Sequence, residues 1–266
     1  MALTIATWNI NSVRLRIDLV RRVLADHGPD VLCLQETKVI DDAFPRAAFE
    51  EAGYPHQVLF GQKNHHGVAI VARQPMQPFD RVDWCLKGDA RHVRVRLESG
   101  LILDNFYVPA GGDEPDAAIN PRFEHKLAFL DEMADWSARH ADEVGRILVG
   151  DLNVAPLEHD VWSHKQLLKV VSHTPEEVER LDRVMAAGNW HDAMRGLVPP
   201  DRKLYTWWSY RNRDWAASDR GRRLDHVWVS RDLAPRVSAM TVLREARDWD
   251  KPSDHVPVLV TLNDRE

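Results

Sequence analysis

The sequence has few cysteines and no long apolar run, and both absences narrow the class of protein. Only two cysteines, Cys33 and Cys85, occur in 266 residues, too few for a disulfide framework or a zinc site. No apolar run approaches the roughly 20 residues of a membrane-spanning helix, and the first residues show no basic region or cleavage site. We therefore expect a soluble protein of the reducing cytoplasm, with no membrane partner.

An excess of positive charge is also missing. The 35 Lys and Arg residues face 41 Asp and Glu residues, a formal net charge of −6, which excludes coating of nucleic acid by bulk charge but allows a local basic face. Repeats, low-complexity segments and Gly/Ser linkers are absent, so we expect residues 1–266 to form a single domain. No feature demands a dimer, and a monomer is the default expectation.

Short apolar strands and amphipathic helices alternate along the chain. Strands separated by helices in both halves, with antiparallel-looking strands between them, indicate an α/β protein with two sheets covered by helices. Ser12 and Thr174 are suitable helix caps. The predicted strands include residues 4–8, 30–34, 68–72, 92–97, 101–108, 146–149, 204–210, 224–230, 236–243 and 256–262. The predicted helices lie near residues 13–24, 43–52, 121–140, 159–171 and 175–187.

Polar residues recur where the apolar strands end. Asp151 and Asn153 follow one such strand and lie two residues apart, so their side chains point the same way in extended geometry. Each such residue alone is explained by a loop, and Asp151 with Asn153 by a simple Asx turn, but their number makes that explanation poor. Strand ends hold ligands in open α/β sheets. The set comprises Asn9, Glu36, Tyr107, Asp151, Asn153, Asp225, Asp254 and His255.

A carboxylate at the rim of the core indicates a cation site. Glu36 follows a fully apolar strand, and with Asp254 and the amide oxygen of Asn9 it suits a hard cation. Mg²⁺ fits because it takes few protein carboxylates and keeps waters and phosphate oxygens. No Cys/His spacing supports zinc.

A histidine between two prolines is a candidate for proton chemistry. His255 can exchange protons with a reacting group or pair with an anionic oxygen, and a satisfied surface histidine is the alternative. Pairing with Asp225, which begins an apolar strand, would fix its tautomer and raise its pKa. His226 points to the opposite face and is interpreted as structural.

Aromatic and basic residues are interleaved in residues 205–215, and Arg220, Arg222 and Arg223 extend this segment. Aromatic rings offer stacking faces for bases or sugars, and arginines pair with phosphates. A core role explains one or two of these aromatics but not the whole set. The segment therefore predicts contact with nucleic acid.

Together these residues resemble the exonuclease III family (exodeoxyribonuclease III and AP endonucleases) within the endonuclease/exonuclease/phosphatase superfamily, over nearly the whole chain. The resemblance implies a four-layered α/β sandwich, with two mixed β-sheets packed face to face and flanked by helices. It also implies Mg²⁺- or Mn²⁺-dependent hydrolysis of double-stranded DNA with 3′ ends or abasic sites. The matching segments are Thr7-Trp8-Asn9-Ile10-Asn11, Leu34-Gln35-Glu36-Thr37-Lys38, Asn105-Phe106-Tyr107-Val108-Pro109, Gly150-Asp151-Leu152-Asn153, Trp207 to Tyr210, Leu224-Asp225 and Ser253-Asp254-His255.

The resemblance implies roles for the matching residues. Asp151, oriented with Asn153, would position or deprotonate the attacking water, while Tyr107 and His255 would contact the scissile phosphate with Asp225 behind the histidine. The family leaves open whether Asp151 or His255 is the base and whether one metal or two take part; we favour Asp151, because His255 should be cationic. The implied metal ligands are Glu36 first, then Asn9, Asp254, Asp151 and Asn153. The implied substrate-binding residues, the first beside the displaced sugar, are Trp207, Tyr210, Arg211, Asn11 and Lys38.

The match departs from the family at a few positions. Ala110 stands where members with strong abasic-site activity often carry Asn or Gln, and Asp113 where some carry a cation. We hypothesise that 3′→5′ exonuclease and 3′-end cleaning outweigh abasic-site incision, with a bulky His173 hindering a continuous duplex. The alternatives are a phosphoesterase of the same fold acting on inositol phosphates or sphingomyelin, and a non-catalytic nucleic-acid-binding module.

Overall fold

The computed structural model describes residues 2–264, and fourteen strands and seven α-helices lie within that range. The strands are β1 (Leu3–Asn9), β2 (Val31–Gln35), β3 (His56–Phe60), β4 (Val68–Ala72), β5 (Met76–Pro78), β6 (His92–Leu97), β7 (Ile102–Tyr107), β8 (Arg146–Asp151), β9 (Trp190–Asp192), β10 (Trp207–Trp208), β11 (Gly221–Arg222), β12 (Asp225–Ser230), β13 (Val237–Val242) and β14 (Val258–Leu262). The helices are α1 (Ile17–His27), α2 (Arg46–Glu51), α3 (Pro121–Arg139), α4 (His164–Leu167), α5 (Pro175–Ala187), α6 (Ala193–Leu197) and α7 (Trp215–Ser218).

Twelve of these strands form two mixed sheets. One has the order β13-β14-β1-β2-β4-β3 and the other β5-β6-β7-β8-β12-β9, while β10 and β11 form a separate hairpin-like pair. Within the large sheets β1 and β2 are parallel, as are β7 and β8, and the remaining pairs are antiparallel. Across residues 2–264, no helix has the length and apolar character needed to cross a membrane.

Three layers of apolar packing hold the sheets and helices together. The inner faces of both sheets share one core, in which Cys33 of β2 and Val149 of β8 are fully buried. The alternate face of the first sheet packs on α1, and that of the second sheet packs on α3 and α5. Alternation of side chains along each strand produces this arrangement, since each strand supplies both faces of its sheet. The predicted four-layered sandwich is confirmed.

Two helices bordering the site begin at the capping signals present in the sequence. The side chain of Asn120 accepts a bond from the backbone of Arg122 at the start of α3. Thr174 and Glu177 form a reciprocal capping box at the start of α5, with Pro175 in the first turn. These caps fix where both helices enter the layer beside the second sheet.

The first helix begins later than the sequence indicates. It starts at Ile17 rather than near residue 13, and Ser12 does not cap it. Asn11 and Ser12 have positive φ, and the Ser12 backbone N–H donates to the carbonyl of Glu36. The backbone is therefore bound to the end of β2 before it can enter the helix.

Two further predicted elements are shorter than expected. The strand at 204–210 is reduced to Trp207–Trp208, because the backbone of Trp208 bonds Asp254 rather than continuing a ladder. The helix at 159–171 is divided into a 3-10 turn, Glu158–Asp160, and the short α4. Asp160 leaves the helical pattern because its carboxylate is drawn into a buried ion network with Arg223.

Candidate active site

Six strands begin or end at one edge of the two sheets, and the polar residues meet there. The parallel pairs β1–β2 and β7–β8 end at this edge, and the antiparallel strands β12 and β14 begin at it. Asp225 at the start of β12 stands directly opposite Asp151 at the end of β8. The residues brought to this edge are Asn9, Glu36, Tyr107, Asp151, Asn153, Asp225, Asp254 and His255.

Close backbone contacts and a polar link between the sheets fix this edge. A Cβ on Gly150 would lie 1.9 Å from the carbonyl oxygen of Phe106, so only glycine fits immediately before Asp151. Beneath the site, Gln35 of one sheet donates to Asn105 of the other over 2.7 Å, and both are fully buried. The strand ends are therefore held in register across the sandwich.

His255 lies between two aspartates in the buried part of the site. Its Nδ1 is 2.8 Å from Oδ2 of Asp225, and its Nε2 is 3.6 Å from Oδ2 of Asp151. Burial by itself lowers the pKa of His255, but the charges of Asp225 and Asp151 outweigh it and raise the pKa to about 10. The predicted Asp225–His255 contact is present, and the histidine is an imidazolium at neutral pH.

Asp151 and Asn153 form a turn whose side chains face the same pocket. The backbone and side-chain amides of Asn153 donate to the two oxygens of Asp151 over 3.0 and 3.2 Å. Asn153 also donates to the carbonyl of Val108, at the end of β7. Burial raises the pKa of Asp151, although the charge on His255 opposes that shift. The turn is thus an Asx turn that also anchors a buried carboxylate.

Asn9 joins the two carboxylates of the site. Its side-chain N–H₂ donates to Glu36 and to Asp151, each over 2.9 Å, while its oxygen accepts from the backbone of Asn11. Its predicted role as an oxygen ligand to metal stays a prediction. In this arrangement its amide bridges Glu36 and Asp151.

The negative charge of Glu36 is stabilised by neighbouring hydrogen-bond donors. Tyr107 donates to it over 2.8 Å, and Lys38 forms a salt bridge of 2.8 Å. Burial alone raises the pKa of Glu36, but Lys38 and the hydrogen bonds lower it below its ordinary value. Burial raises the pKa of Tyr107 well above 10, so its hydroxyl remains a donor.

The donor set of this edge suits a hard cation. Ligand atoms of Asp151, Asp225 and His255 lie within 4.8 Å of one another, but His255 holds its proton, so the carboxylates are the candidate ligands. Oδ1 of Asp225 is buried with no hydrogen-bond partner among residues 2–264. The carboxylate of Glu36 joins them through Asn9. Carboxylate oxygens are the ligands that Mg²⁺ and Mn²⁺ prefer, so the residues present fit a divalent cation.

A cavity of about 860 Å³ opens from this edge. Its acidic part is supplied by the sheet edge, including Glu36 and Asp254, and its basic part by β11 and the segment that connects β10 to it. Trp207 lines the cavity and donates its indole N–H to Asp254 over 2.9 Å. Anionic ligands with a planar or sugar-like part therefore meet arginine, tryptophan and carboxylates that fit a cation in one space. The arginines are Arg211, Arg220 and Arg222.

The remaining predicted substrate-binding residues lie beside this cavity rather than within it. Tyr210 is 46 % exposed and donates its hydroxyl to the carbonyl of Pro252. Asn11 accepts from Lys38 and donates to Asp254. These residues form the rim on the side of Glu36 and Asp254.

Two expectations from the sequence are wrong. His173 is 1 % exposed and bonds the carbonyl of Ala155, so it cannot block a duplex; its neighbour Ser172 lines the cavity instead. Arg223 is not available to phosphates, because it is buried against Asp160 and Asp192.

A buried ion pair behind the site was missed by sequence reasoning. Lys126 of α3 is fully buried, pairs with Glu177 of α5 and donates to the carbonyl of Asn153 over 2.7 Å. The carboxylate of Glu177 also accepts from the backbone of Ser172. The available signal was the place of Lys126 on the apolar stripe of α3, three residues after the buried Phe123.

Comparisons with known proteins identify the family. The model of the Endonuclease/Exonuclease/phosphatase family matches residues 6–255. Exodeoxyribonuclease III from Haemophilus influenzae is 32 % identical over 268 residues, covering 95 % of this chain and 97 % of that protein. An AP endonuclease structure from Archaeoglobus fulgidus superposes with a TM-score of 0.91 at 30 % identity, covering 98 % of this chain and all of that one. A 3′ phosphatase from Neisseria bound to a product DNA hairpin gives 0.90 at 29 % identity, covering 98 % and 99 %.

The chain therefore belongs to the Endonuclease/Exonuclease/phosphatase family. The resemblance inferred from its sequence motifs is confirmed, since exodeoxyribonuclease III and an AP endonuclease each match nearly end to end.

Proposed function

We propose that this protein is a Mg²⁺- or Mn²⁺-dependent DNA repair nuclease of the exodeoxyribonuclease III type. It removes nucleotides from 3′ ends of duplex DNA and cleans blocked 3′ ends, with abasic-site incision as a lesser activity. The relatives named above, an exodeoxyribonuclease III, an AP endonuclease and a 3′ phosphatase, support this substrate class.

One observation carries the proposal. The buried cluster of Asp151, Asp225 and His255 opens, together with Glu36, into a cavity whose other wall bears Trp207 and three arginines. A site for phosphate chemistry and a surface for nucleotides thus share one space. A phosphoesterase for a small soluble substrate has no need of the long aromatic and basic wall.

Asp151 is the group that positions and deprotonates the attacking water. Burial raises its pKa toward neutrality, as a general base requires, and Asn9 and Asn153 fix the direction of its oxygens. His255 is unsuited to the role, because its pKa is raised to about 10 and it holds its proton.

His255 and Tyr107 donate hydrogen bonds to the scissile phosphate. The imidazolium of His255 offers a charge-assisted hydrogen bond to a non-bridging oxygen, and Asp225 keeps the ring oriented. Tyr107 keeps its proton and can turn its hydroxyl from Glu36 to the phosphate. A divalent cation held by Glu36 and its neighbouring carboxylates would neutralise the phosphate and the departing 3′-oxygen.

Two cavity residues favour ends over continuous strands. Asp113 adds a negative charge to the lining of the cavity, and the methyl side chain of Ala110 supplies no hydrogen bond there. A DNA strand continuing past the scissile phosphate would bring further phosphates toward Asp113. We therefore expect 3′ ends to be processed faster than internal abasic sites.

The test uses three matched duplexes with a recessed 3′ hydroxyl, a 3′ phosphate or an internal abasic site. We expect Mg²⁺-dependent products from the first two, loss of all products in EDTA, and a slower reaction on the third. Glu36→Gln serves as the variant with weakened metal binding.

Two results would contradict the proposal at different levels. Absence of Mg²⁺-dependent product from every duplex would exclude a DNA nuclease, and turnover of phosphoinositides or sphingomyelin would then favour another phosphoesterase. Faster incision of the abasic site than removal of the 3′ phosphate would overturn only the order of activities.

A further inference from the structure

Lys126 is a fully buried cation behind the active site that the proposed mechanism does not use. Its ammonium group has three N–H donors, and the structure supplies three acceptors. They are the carboxylate of Glu177, the carbonyl of Asn153 at 2.7 Å and the carbonyl of Ala110 at 3.4 Å. The lysine therefore joins α5 to the segments that follow β7 and β8.

Stability alone is a poor explanation for this ion pair. Burying two charges costs desolvation, and apolar residues of similar volume are often as stable as a buried pair or more so. The other buried residues of α3 are mostly apolar, such as Phe123 and Leu130, so an apolar residue would suit this helix. The distinguishing property of the lysine is the donor that it brings to the two carbonyls.

The carbonyl of Asn153 belongs to the turn that carries the proposed base. Asn153 has a φ of 53°, in the left-handed region, and its backbone and side-chain amides both donate to the carboxylate of Asp151. A conformation of this kind persists where the surrounding contacts over-determine it. Lys126 supplies the contact on the carbonyl side of the residue. Without that donor the carbonyl would be buried and unsatisfied, and the turn would shift to recover a partner.

Glu177 connects the lysine to the cavity wall. Its two oxygens accept from the backbone N–H of Ser172 over 2.9 and 2.8 Å, and Ser172 lines the cavity. The chain is packed closely around the pair, because a Cβ on Gly111 would lie 2.9 Å from Cδ of Lys126 and 3.0 Å from Cγ1 of Val171. The segments after β7 and before α5 thus enclose the lysine and fix its position.

We propose that Lys126 is a positioning residue for the reaction: it holds the carbonyl of Asn153, so that the turn aims the carboxylate of Asp151 at the attacking water. This inference rests on the proposed function. Lys126 is fully buried and does not line the cavity, so it acts through Asp151 rather than on the substrate. Its loss should therefore lower kcat and leave KM nearly unchanged.

The test uses Lys126→Met/Glu177→Gln, which removes both charges of the pair together. The glutamine still accepts from Ser172 and no buried charge is left unpaired, so we expect a melting temperature within a few degrees of the wild type. The carbonyl of Asn153 nevertheless lacks its donor. On a recessed 3′ end with Mg²⁺, kcat should fall roughly tenfold to a hundredfold, while KM changes by less than about twofold.

A cycle with Asp151→Asn separates positioning from a general disturbance of the site. If Lys126 acts through Asp151, the paired substitution should cost no further rate once the base has been removed. Single-turnover rates of the wild type, the two variants and their combination provide the comparison. Losses that multiply would place the effect elsewhere in the site and overturn the inference, as would a normal kcat in the Lys126→Met/Glu177→Gln protein.

Asp160→Asn is the matched control, because it disrupts a buried ion network that does not hold the turn. We expect a lower melting temperature with kcat close to the wild type. An equal loss of kcat in this control would assign the effect to stability and overturn the inference.

Lys126→Gln/Glu177→Gln offers a neutral donor on a shorter chain and should recover part of kcat. Its smaller loss should likewise vanish in the Asp151→Asn background, which keeps the test decisive if the methionine variant does not fold. A loss that persists in that background would overturn the inference. If the wild-type protein itself gives no Mg²⁺-dependent product, the proposed function fails.

Discussion

Two buried clusters of charged side chains differ in how completely their charges are paired. In the aspartate–arginine network (Asp160, Asp192, Arg195 and Arg223), both oxygens of Asp160 accept bonds, from the two arginines and from the backbone of Leu157. In the acid–histidine cluster (Asp151, Asp225 and His255), Oδ1 of Asp225 has no partner among the described residues, and the cluster borders the cavity. The carboxylate of Asp160 in this closed network is fully used within the fold, whereas the open cluster has a free carboxylate oxygen beside the cavity for a cation, water or phosphate.

The largest expected effect is on turnover, at the open cluster. Asp151→Asn keeps the shape and the contact with Asn9 but removes the base, so kcat should fall by roughly 10²–10⁴-fold. Removing one buried carboxylate whose pKa is already raised should leave the melting temperature within a few degrees of the wild type. Single-turnover kinetics on a recessed 3′ end with Mg²⁺ checks the rate. Near-normal turnover would exclude Asp151 as the base.

The next effect is on stability, at the closed network. Asp160→Asn leaves Arg223 and Arg195 partly uncompensated in the interior, which should cost about 3–5 kcal/mol of the free energy of unfolding. Turnover per folded molecule should stay close to wild type. Urea unfolding measures the loss, with Asp131→Asn, which breaks surface pairs with Arg180 and Arg183, as the control expected to cost under about 1 kcal/mol. Equal losses in the two variants would remove the distinction.

A smaller effect is the pH dependence of stability caused by His226, which borders the aspartate–arginine network. Burial, and then the charge of Arg223, lower its pKa from 6.5 to about 4. Because the folded-state pKa is depressed, the protein must bind a proton on unfolding, and stability present above pH 6.5 is lost as the pH falls toward 4. The free energy of unfolding lost over this pH range through His226 is about 3 kcal/mol.

The variant that isolates this titration is His226→Gln, which keeps a donor for the carbonyl of Val154. Urea midpoints at pH 7.5, 6 and 4.5 should converge between wild type and variant as the pH falls. Parallel curves would show that His226 does not titrate with unfolding.

The smallest expected effect separates orientation from charge in the open cluster. Asp225→Asn keeps a bond to Nδ1 of His255 but removes the charge behind it, so kcat should fall by roughly tenfold to a hundredfold. KM should change little, since Asp225 does not line the cavity wall that bears Trp207. A change in KM alone would show that the pair shapes binding rather than the reaction.

Much of the site can be predicted from the sequence, because its residues lie at the ends of strands and those ends are marked in the sequence. Asp151 and Asn153 follow a short apolar strand at a spacing of two, and Asp225 begins another. The end of one strand and the start of its antiparallel neighbour lie at the same edge of the sheet. The start of α5 at Thr174 can be predicted for the same reason, because its capping bonds join residues only three positions apart. Elements that depend on distant partners were predicted less well, as at Asp160 and Trp208, whose bonds reach other parts of the chain.

The sequence by itself determined most of the strands, the helix cap at Thr174, the family and the residue types at the reaction centre. Only the tertiary structure decided which charges face the cavity. Arg222 and Arg223 are neighbours of the same type, yet one lines the cavity and the other is buried in an ion network. Ser172 and His173 are also neighbours, yet Ser172 lines the cavity and His173 is buried. Successive side chains point to opposite faces, and which face is open depends on the sheets and loops packed against it.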